Sequence, residues 1–386
     1  MNDTVNEEGR LPVPLKVFGV LSIVGGLASL GDLAPVIFSF VQGVGGGTYR
    51  TASIVIFAGL MAVLTSSAAP FLFFGVRLPR NPPTHPAQAA NTLAALTVLA
   101  VIGTLMLFGL SAHHIGYLVQ IVILVAVTSY LDPQLHEERR LQRKLKKMDK
   151  EQRSEERRLA RERKPKKGFI TLNFFNLFWI FVVCCVLGLI IEVLFHFALY
   201  HEYQDRAGLL FGPFSPIYGF GALLMTIALN RFHDKPVWVV FLVSAVIGGA
   251  FEYFTSWIME FSFGIRAWDY SGTFLSIDGR TNFVFMVMWG VLGVAWIKLL
   301  LPRLLKLINL IPWNWRYAVT AVCAGLMLVD GVMTVQSIDC WYARSAGKAP
   351  DTPIEEFYAK HFDNAYMEHR FQTMTMDVND AARADR

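Results

Sequence analysis

Four carboxylates lie inside long apolar stretches of this 386-residue chain. They are Asp32 in "ASLGDLAPVI", Glu192 in "LGLIIEVLFHF", Glu252 in "GGAFEYFTSWIME" and Asp330 in "GLMLVDGVMTV". A carboxylate in hydrocarbon is costly unless it faces a bundle interior, meets water or finds a partner. Partners are available nearby in the chain. The polar stretches between apolar runs supply Arg206, Arg266 and Arg280 together with Asp269 and Asp278. Glu252, Tyr253, Ser256 and Glu260 recur at i, i+1, i+4 and i+8, which sets them along one stripe of a helix. The expected result is a polar, outward-open cavity lined by Glu192, Glu252 and Asp330 and roofed by the loop arginines. A plainer reading is that each acid pairs with an arginine and staples a loop onto a helix. Two carboxylates in a low-dielectric site can also divide acid and base roles, so Glu192 and Glu252 could serve an intramembrane enzyme. That reading lacks a nucleophile or metal set to support it.

A second feature is backbone chemistry. "GLLFGPFSPIYGFG" (208–221) gathers Gly212, Pro213, Pro216, Gly219 and Gly221 around Tyr218. Proline removes amide donors and glycine loosens the chain, so regular helix is not expected before Ile217. Irregular backbone at membrane depth survives only inside protein or beside water, where freed carbonyls and amides can meet a ligand. An interfacial turn followed by a span with glycine packing contacts explains the same residues.

The elements that carry these groups follow from composition. The chain is 54% hydrophobic and only 17% charged, with a mean hydropathy of +0.43, whereas soluble domains carry about 25% charged residues. Apolar runs near 15–39, 52–76, 91–112, 113–131, 173–199, 216–230, 237–259, 281–301 and 317–338 read as nine membrane-spanning helices. The fold class is therefore an all-α, polytopic helical membrane protein. "MNDTVNEEGR" lacks the basic start of a secretory signal. Cys184, Cys185 and Cys323 fall in spans and Cys340 just beyond, which suits buried small side chains rather than a disulfide framework. Trp257 and Trp268 suit an interfacial belt. "PRLLKLINLIPWNWR" (302–316) reads as an interfacial helix with a Trp anchor.

The chain is organised as a four-helix membrane region (1–131), a charged linker (132–168), a second membrane domain (169–338) and a tail (339–386). Residues 132–167 hold 15 Lys and Arg against 8 Asp and Glu, a surplus of seven that exceeds the net +5 of the whole chain. Its Lys, Arg, Glu and Leu content favours a helix. Basic segments stay on the cytoplasmic side, so the linker and the amino terminus are expected on the inner face of the cell membrane, and 200–215 and 266–280 become outer loops. The linker can hold anionic lipid at about 1 kcal/mol per basic residue near the surface, or act as a solvated spacer. Membrane lipids are thus the first expected partner. A homo-oligomer is open, and no specific nucleic-acid partner is indicated. No G-x-x-x-x-G-K-[ST], H-E-x-x-H, C-x-x-C or G-x-S-x-G is present. No ATPase or hydrolase motif, metal site or cofactor is therefore expected in this chain. His113, His114 and His196 read as structural.

Over about 172–376 the sequence resembles the ABC-transporter type IV permease family, the CmpB-like membrane proteins. The carrying strings are "FGPFSPIYGFGALL", "FEYFTSWIMEFSFGIRAWDYS", "DGRTNFVFMVMWGVLG" and "LMLVDGVMTVQSIDCWYAR". Family members have N-R-G before the G-P motif and Cys between its prolines, where this chain has "DRAG" (205–208) and Ser215. The resemblance implies a permease subunit driven by a separate ATPase. Its motif maps onto Gly212, Pro213, Pro216, Tyr218, Gly219, Glu252, Tyr253, Trp257, Glu260, Trp268, Asp269, Tyr270, Ser271, Gly279, Arg280 and Asp330. The function expected is a permease subunit that binds or moves a small polar or amphipathic ligand. The alternative is a membrane scaffold or sensor.

Overall fold

The computed structural model describes residues 13–47, 49–77, 86–111, 113–131, 170, 172–311 and 313–383. The charged linker and the helix expected there lie outside the described residues. The chain divides into two compact units, 1–165 with 382–386, and 166–381.

The first unit holds α1 (Val13–Gly45), α2 (Thr51–Arg77), α3 (Pro86–Phe108) and α4 (His113–Leu131). α1 and α2 pack closely because Gly75 has no side chain: a Cβ there would lie 2.8 Å from the Gly19 carbonyl oxygen. Phe18, Phe71, Phe74, Leu93 and Leu124 form a core drawn from all four helices. Pro35 and Pro70 sit inside α1 and α2, which membrane helices tolerate when neighbours satisfy the freed carbonyls.

The second unit begins with α5 (Phe174–Tyr200), α6 (Pro216–Leu229) and α7 (Val237–Phe263). Then come a two-residue strand β1 (Ile265–Arg266), α8 (Phe283–Ala295), a π-helical turn (Trp296–Leu300) and α9 (Leu301–Ile308). α10 (Trp313–Ser345) leads to a tail with α11 (Pro353–His361), α12 (Asn364–Arg370) and strand β2 (Thr375–Met376), which pairs antiparallel with β1. Asn173 caps α5, and Asn282 caps α8 by accepting the Phe285 N–H. These side chains satisfy amides that the first turn leaves over. Gly188 lets the Tyr218 ring lie on α5, and Gly248 lets Trp289 lie on α7. At one end, Phe175, Ile180, Met225, Leu229, Trp296 and Leu301 make an apolar core. The opposite end carries the polar loops and the tail.

The all-α polytopic class holds. Among the described residues, seven helices are long and apolar enough to cross a membrane. α6 is a shorter apolar helix. The 14 residues of α6 reach only about 21 Å, because Pro216 fixes its start and the loop before it cannot wind. The segment 302–308, expected as a separate interfacial helix, instead continues α8. Pro302 has no N–H, and its ring would meet the carbonyl four residues back. The π turn takes up this misfit, with the Leu301 N–H bonding to the Trp296 carbonyl. The extension is thus one bent helix, with Leu301, Leu304 and Ile308 buried in the apolar core. Lys298, in the π turn, reaches the His233 carbonyl.

Candidate functional site

The carboxylates of the second unit collect at its loop end, where α5 and α7 finish and α6 and α8 begin. Three clusters form there. In the first, Glu192 on α5 takes an ion pair from Arg206 (2.8 Å) through one oxygen and a hydrogen bond from the Tyr218 hydroxyl (2.7 Å) through the other. Arg206 also donates to Gln204. Tyr218 is delivered by the first turn of α6, which Pro216 starts at its first helical position. Proline suits that place because its missing N–H is an orphan there in any case.

In the second cluster Glu252, 7% exposed, accepts from Tyr270 (3.0 Å) and Thr281 (2.8 Å), one bond on each oxygen. Burial pushes the Tyr270 hydroxyl far above its ordinary range, and the neighbouring Glu252 and Glu192 charges push the same way. The Tyr270 bond fastens the 264–282 loop to Glu252 on α7.

In the third, Glu260, 9% exposed, pairs with Arg280 at 2.6 Å and with Arg266 at 3.3 Å. Arg280 reaches Ser256 as well (3.2 Å) and lies over the rings of Tyr253 and Phe261. Arg266, half exposed, also faces Asp269 and Asp380 at 3.6 Å. The Glu260 charge lifts the Arg266 guanidinium above its ordinary value. The loop is built to hold these groups. Trp268 donates to the Arg280 carbonyl (2.8 Å), and Tyr253 donates to Asp278 (2.8 Å). Asp269 accepts from Ser271 (2.8 Å), and hydrogen bonds from Ser271, with Arg266 beside it, hold its carboxyl below the usual range. Gly279 has φ +69°, and a Cβ there would meet Ser271 and Asp269, so only glycine fits this turn.

Asp330, 8% exposed, stands with different partners. It accepts the Phe211 N–H (3.2 Å) and the Thr334 hydroxyl (3.3 Å), and Thr334 in turn accepts the Leu210 N–H (2.9 Å). α10 thus holds the glycine- and proline-rich loop by its backbone. Gly212 adopts φ +69° in this loop, and Gly208 closes it by donating to the Phe214 carbonyl. Pro213 follows Gly212, and Gly221 packs near Trp289.

The residues that sequence reasoning missed are in the tail. Arg370 makes three bonds to the same loop: to the Leu209 carbonyl (2.8 Å), the Gly212 carbonyl (2.8 Å) and Asp205 (2.7 Å). Gln372 accepts the Asp205 N–H. Leu210 is buried with Trp341, Tyr358, Phe362, Met367 and Phe371, so the tail helices and the loop share one small core. Two signals were present in the sequence, a capping box at Thr352 and Glu355 and the Asp363 cap of α12. A cavity of about 80 Å³ beside α11 is lined by Cys340, Arg344, Lys348 and Asp351 among others, and by none of the candidate ligand-binding residues. All four cysteines are free, and Cys184, Cys185 and Cys340 are buried.

Residues 179–335 match the family model described as "Putative ABC-transporter type IV". This region is CmpB-like. No curated protein and no solved structure matches the chain. The CmpB-like match covers every candidate residue above up to Asp330. The tail with Arg370 lies beyond the matched residues.

Proposed function

We propose that the CmpB-like domain is the membrane-embedded subunit of an ATP-driven transport system. On this reading, the Glu192, Tyr218, Tyr270 and Glu252 cluster is where a small polar or amphipathic ligand is received. The observation that carries it is the pair of tyrosine hydroxyls on the glutamates, Tyr218 on Glu192 and Tyr270 on Glu252, donors that a ligand can displace. A ligand offering hydroxyl or cationic groups would replace the tyrosine donors, and the loops would move with them. Arg206, Arg266, Arg280, Asp269 and Asp278 would then set the charge that the ligand meets on entry. Energy would come from a separate ATPase.

Two measurements test this. A native pulldown of the full chain is expected to retain an ATPase, and a ligand screen by thermal shift is expected to find compounds whose shift disappears in Glu252→Gln. Repeated absence of any ATPase, with no ligand shifting the wild type, would remove the proposal. A second reading is favoured by the clasp that Arg370 places on the loop. Carboxylates fully engaged with arginine, tyrosine and threonine describe a stapled scaffold equally well, and that reading expects no ligand shift.

A further inference from the structure

The loop between β1 and α8 has an apolar tip. Residues 271–277, "SGTFLSI", carry no charge, although Asp269 and Asp278 stand on either side of them. Phe274, Leu275 and Ile277 are 67%, 62% and 50% exposed. Their display is built into the backbone. The Ser276 N–H bonds to the Thr273 carbonyl (3.2 Å), closing a turn with Phe274 and Leu275 at its centre. Leu275 has φ +48°, at the place in such a turn where glycine or asparagine is favoured. Asn282, which caps α8, donates to the Thr273 hydroxyl (2.8 Å), and the Ile277 N–H bonds to the Thr281 carbonyl (2.8 Å). The tip is thus fastened to the start of α8.

A membrane span begins at that point, since Phe283–Ile308 is one of the stretches long and apolar enough to cross. Val284, Met288 and Val291 recur at i, i+4 and i+7 and are all exposed, a stripe of α8 that faces hydrocarbon. Phe283 stands beside the head of this stripe, and the Phe274 ring packs edge-on against it at 5.7 Å. The apolar tip therefore continues the lipid-facing surface of α8. Exposed apolar groups gathered in this way mark a contact with protein or membrane, and the continuity with α8 selects the membrane. No Lys or Arg lies between Arg266 and Arg280, so the tip has nothing to grip a phosphate. Its chemistry suits acyl chains.

We propose that Phe274, Leu275 and Ile277 form a wedge seated among the acyl chains of the leaflet on the loop side, whatever the charge of its headgroups. This contact stands apart from ligand reception at the glutamates. The same loop brings Tyr270 and Thr281 to Glu252 and Arg280 to Glu260, so the bilayer holds the loop that meets both acids.

The test uses the full chain in phosphatidylcholine liposomes, with Leu275→Cys labelled by an environment-sensitive fluorophore. Wild type treated in the same way gives the background from the four native cysteines. The tip label is expected to emit at shorter wavelength than one on Lys360→Cys, an exposed position of α11. It should lose most of its fluorescence when part of the lipid carries a doxyl quencher high on the acyl chain. Aqueous iodide should quench the label at position 360 and spare the tip. Phe274→Cys repeats the measurement, and decides alone if Leu275→Cys fails to fold. A tip label quenched by iodide and not by doxyl lipid would overturn the proposal, as would doxyl quenching that appeared only when phosphatidylserine was added. A tip label reached by neither quencher would overturn it too, and disulfide-linked dimers of Leu275→Cys would then name a second copy as the cover.

Discussion

The two units hold their acids at membrane depth in different ways. The CmpB-like domain surrounds each carboxylate with donors: Arg206 and Tyr218 on Glu192, Tyr270 and Thr281 on Glu252, Arg280 and Arg266 on Glu260. The first unit gives Asp32, the one acid among its described residues 13–131, one hydroxyl, and the Ser22 hydroxyl, the Gln120 amide nitrogen and the Thr128 hydroxyl have no hydrogen-bond partner. The difference separates two uses of polar groups in an apolar setting. Saturated pairs fix loops in place and lose stability when one partner goes. Groups without a partner fix nothing, and their removal costs the fold little.

That contrast can be broken by substitution. Arg280→Ala leaves Glu260 buried with only its longer contact to Arg266, and breaking such a pair costs about 3 kcal/mol or more. A marked fall in the thermal midpoint of the purified protein is expected. Arg370→Ala removes three bonds to the 205–212 loop, at about 2–3 kcal/mol. Limited proteolysis should then cut that loop while the membrane helices stay protected. Tyr218→Phe deletes one hydrogen bond to Glu192, worth about 1–2 kcal/mol because the acceptor is charged, with a small fall in the same midpoint. Gln120→Leu, in the first unit, removes an unpartnered amide and should leave the midpoint unchanged or slightly raised. If Gln120→Leu were as damaging as Arg280→Ala, the distinction between the units would collapse.

The smallest effect concerns pH. Asp269 has its carboxyl held below the usual range in the folded loop. Its contribution is therefore complete above the unfolded value near 4, and is lost as the pH falls through the lower folded one. The protection factors of amides in the loop around Ser271, corrected for the intrinsic pH dependence of exchange, should be constant from neutral pH to about pH 4 and fall only below that.

The spans were legible because hydropathy over 20 residues does not depend on tertiary contacts. The clustering of the loop arginines with the span acids was also legible, since hydrocarbon leaves a carboxylate few alternatives. The choice of partners was not. Arg206, Arg266 and Arg280 are equivalent in sequence, and only the loop backbone decides that Glu192 takes the first while Glu260 takes the other two. Asp330 was grouped with the glutamates by its depth, yet its bonds go to backbone amides and Thr334, a pattern that charge alone does not reveal. Pro302 misled in the opposite direction. Read as a helix start, it is absorbed by a five-residue π turn within one bent helix. The tail looked like an appendage because its polar composition resembles solvent-exposed chain. Its apolar residues Tyr358, Phe362, Met367 and Phe371 lack a long helical period and find their core only in three dimensions.

The clasp on the 205–212 loop has a consequence for biosynthesis. Arg370 grips the Gly212 carbonyl across 158 positions of chain, and Thr375 and Met376 zip onto Arg266 and Ile265, more than a hundred positions back. While the ribosome is still inserting α10, neither fastening exists, so the polar end of the domain is finished only when translation has almost ended. A nascent chain arrested before Arg370 would carry every membrane helix and still have that end unlocked.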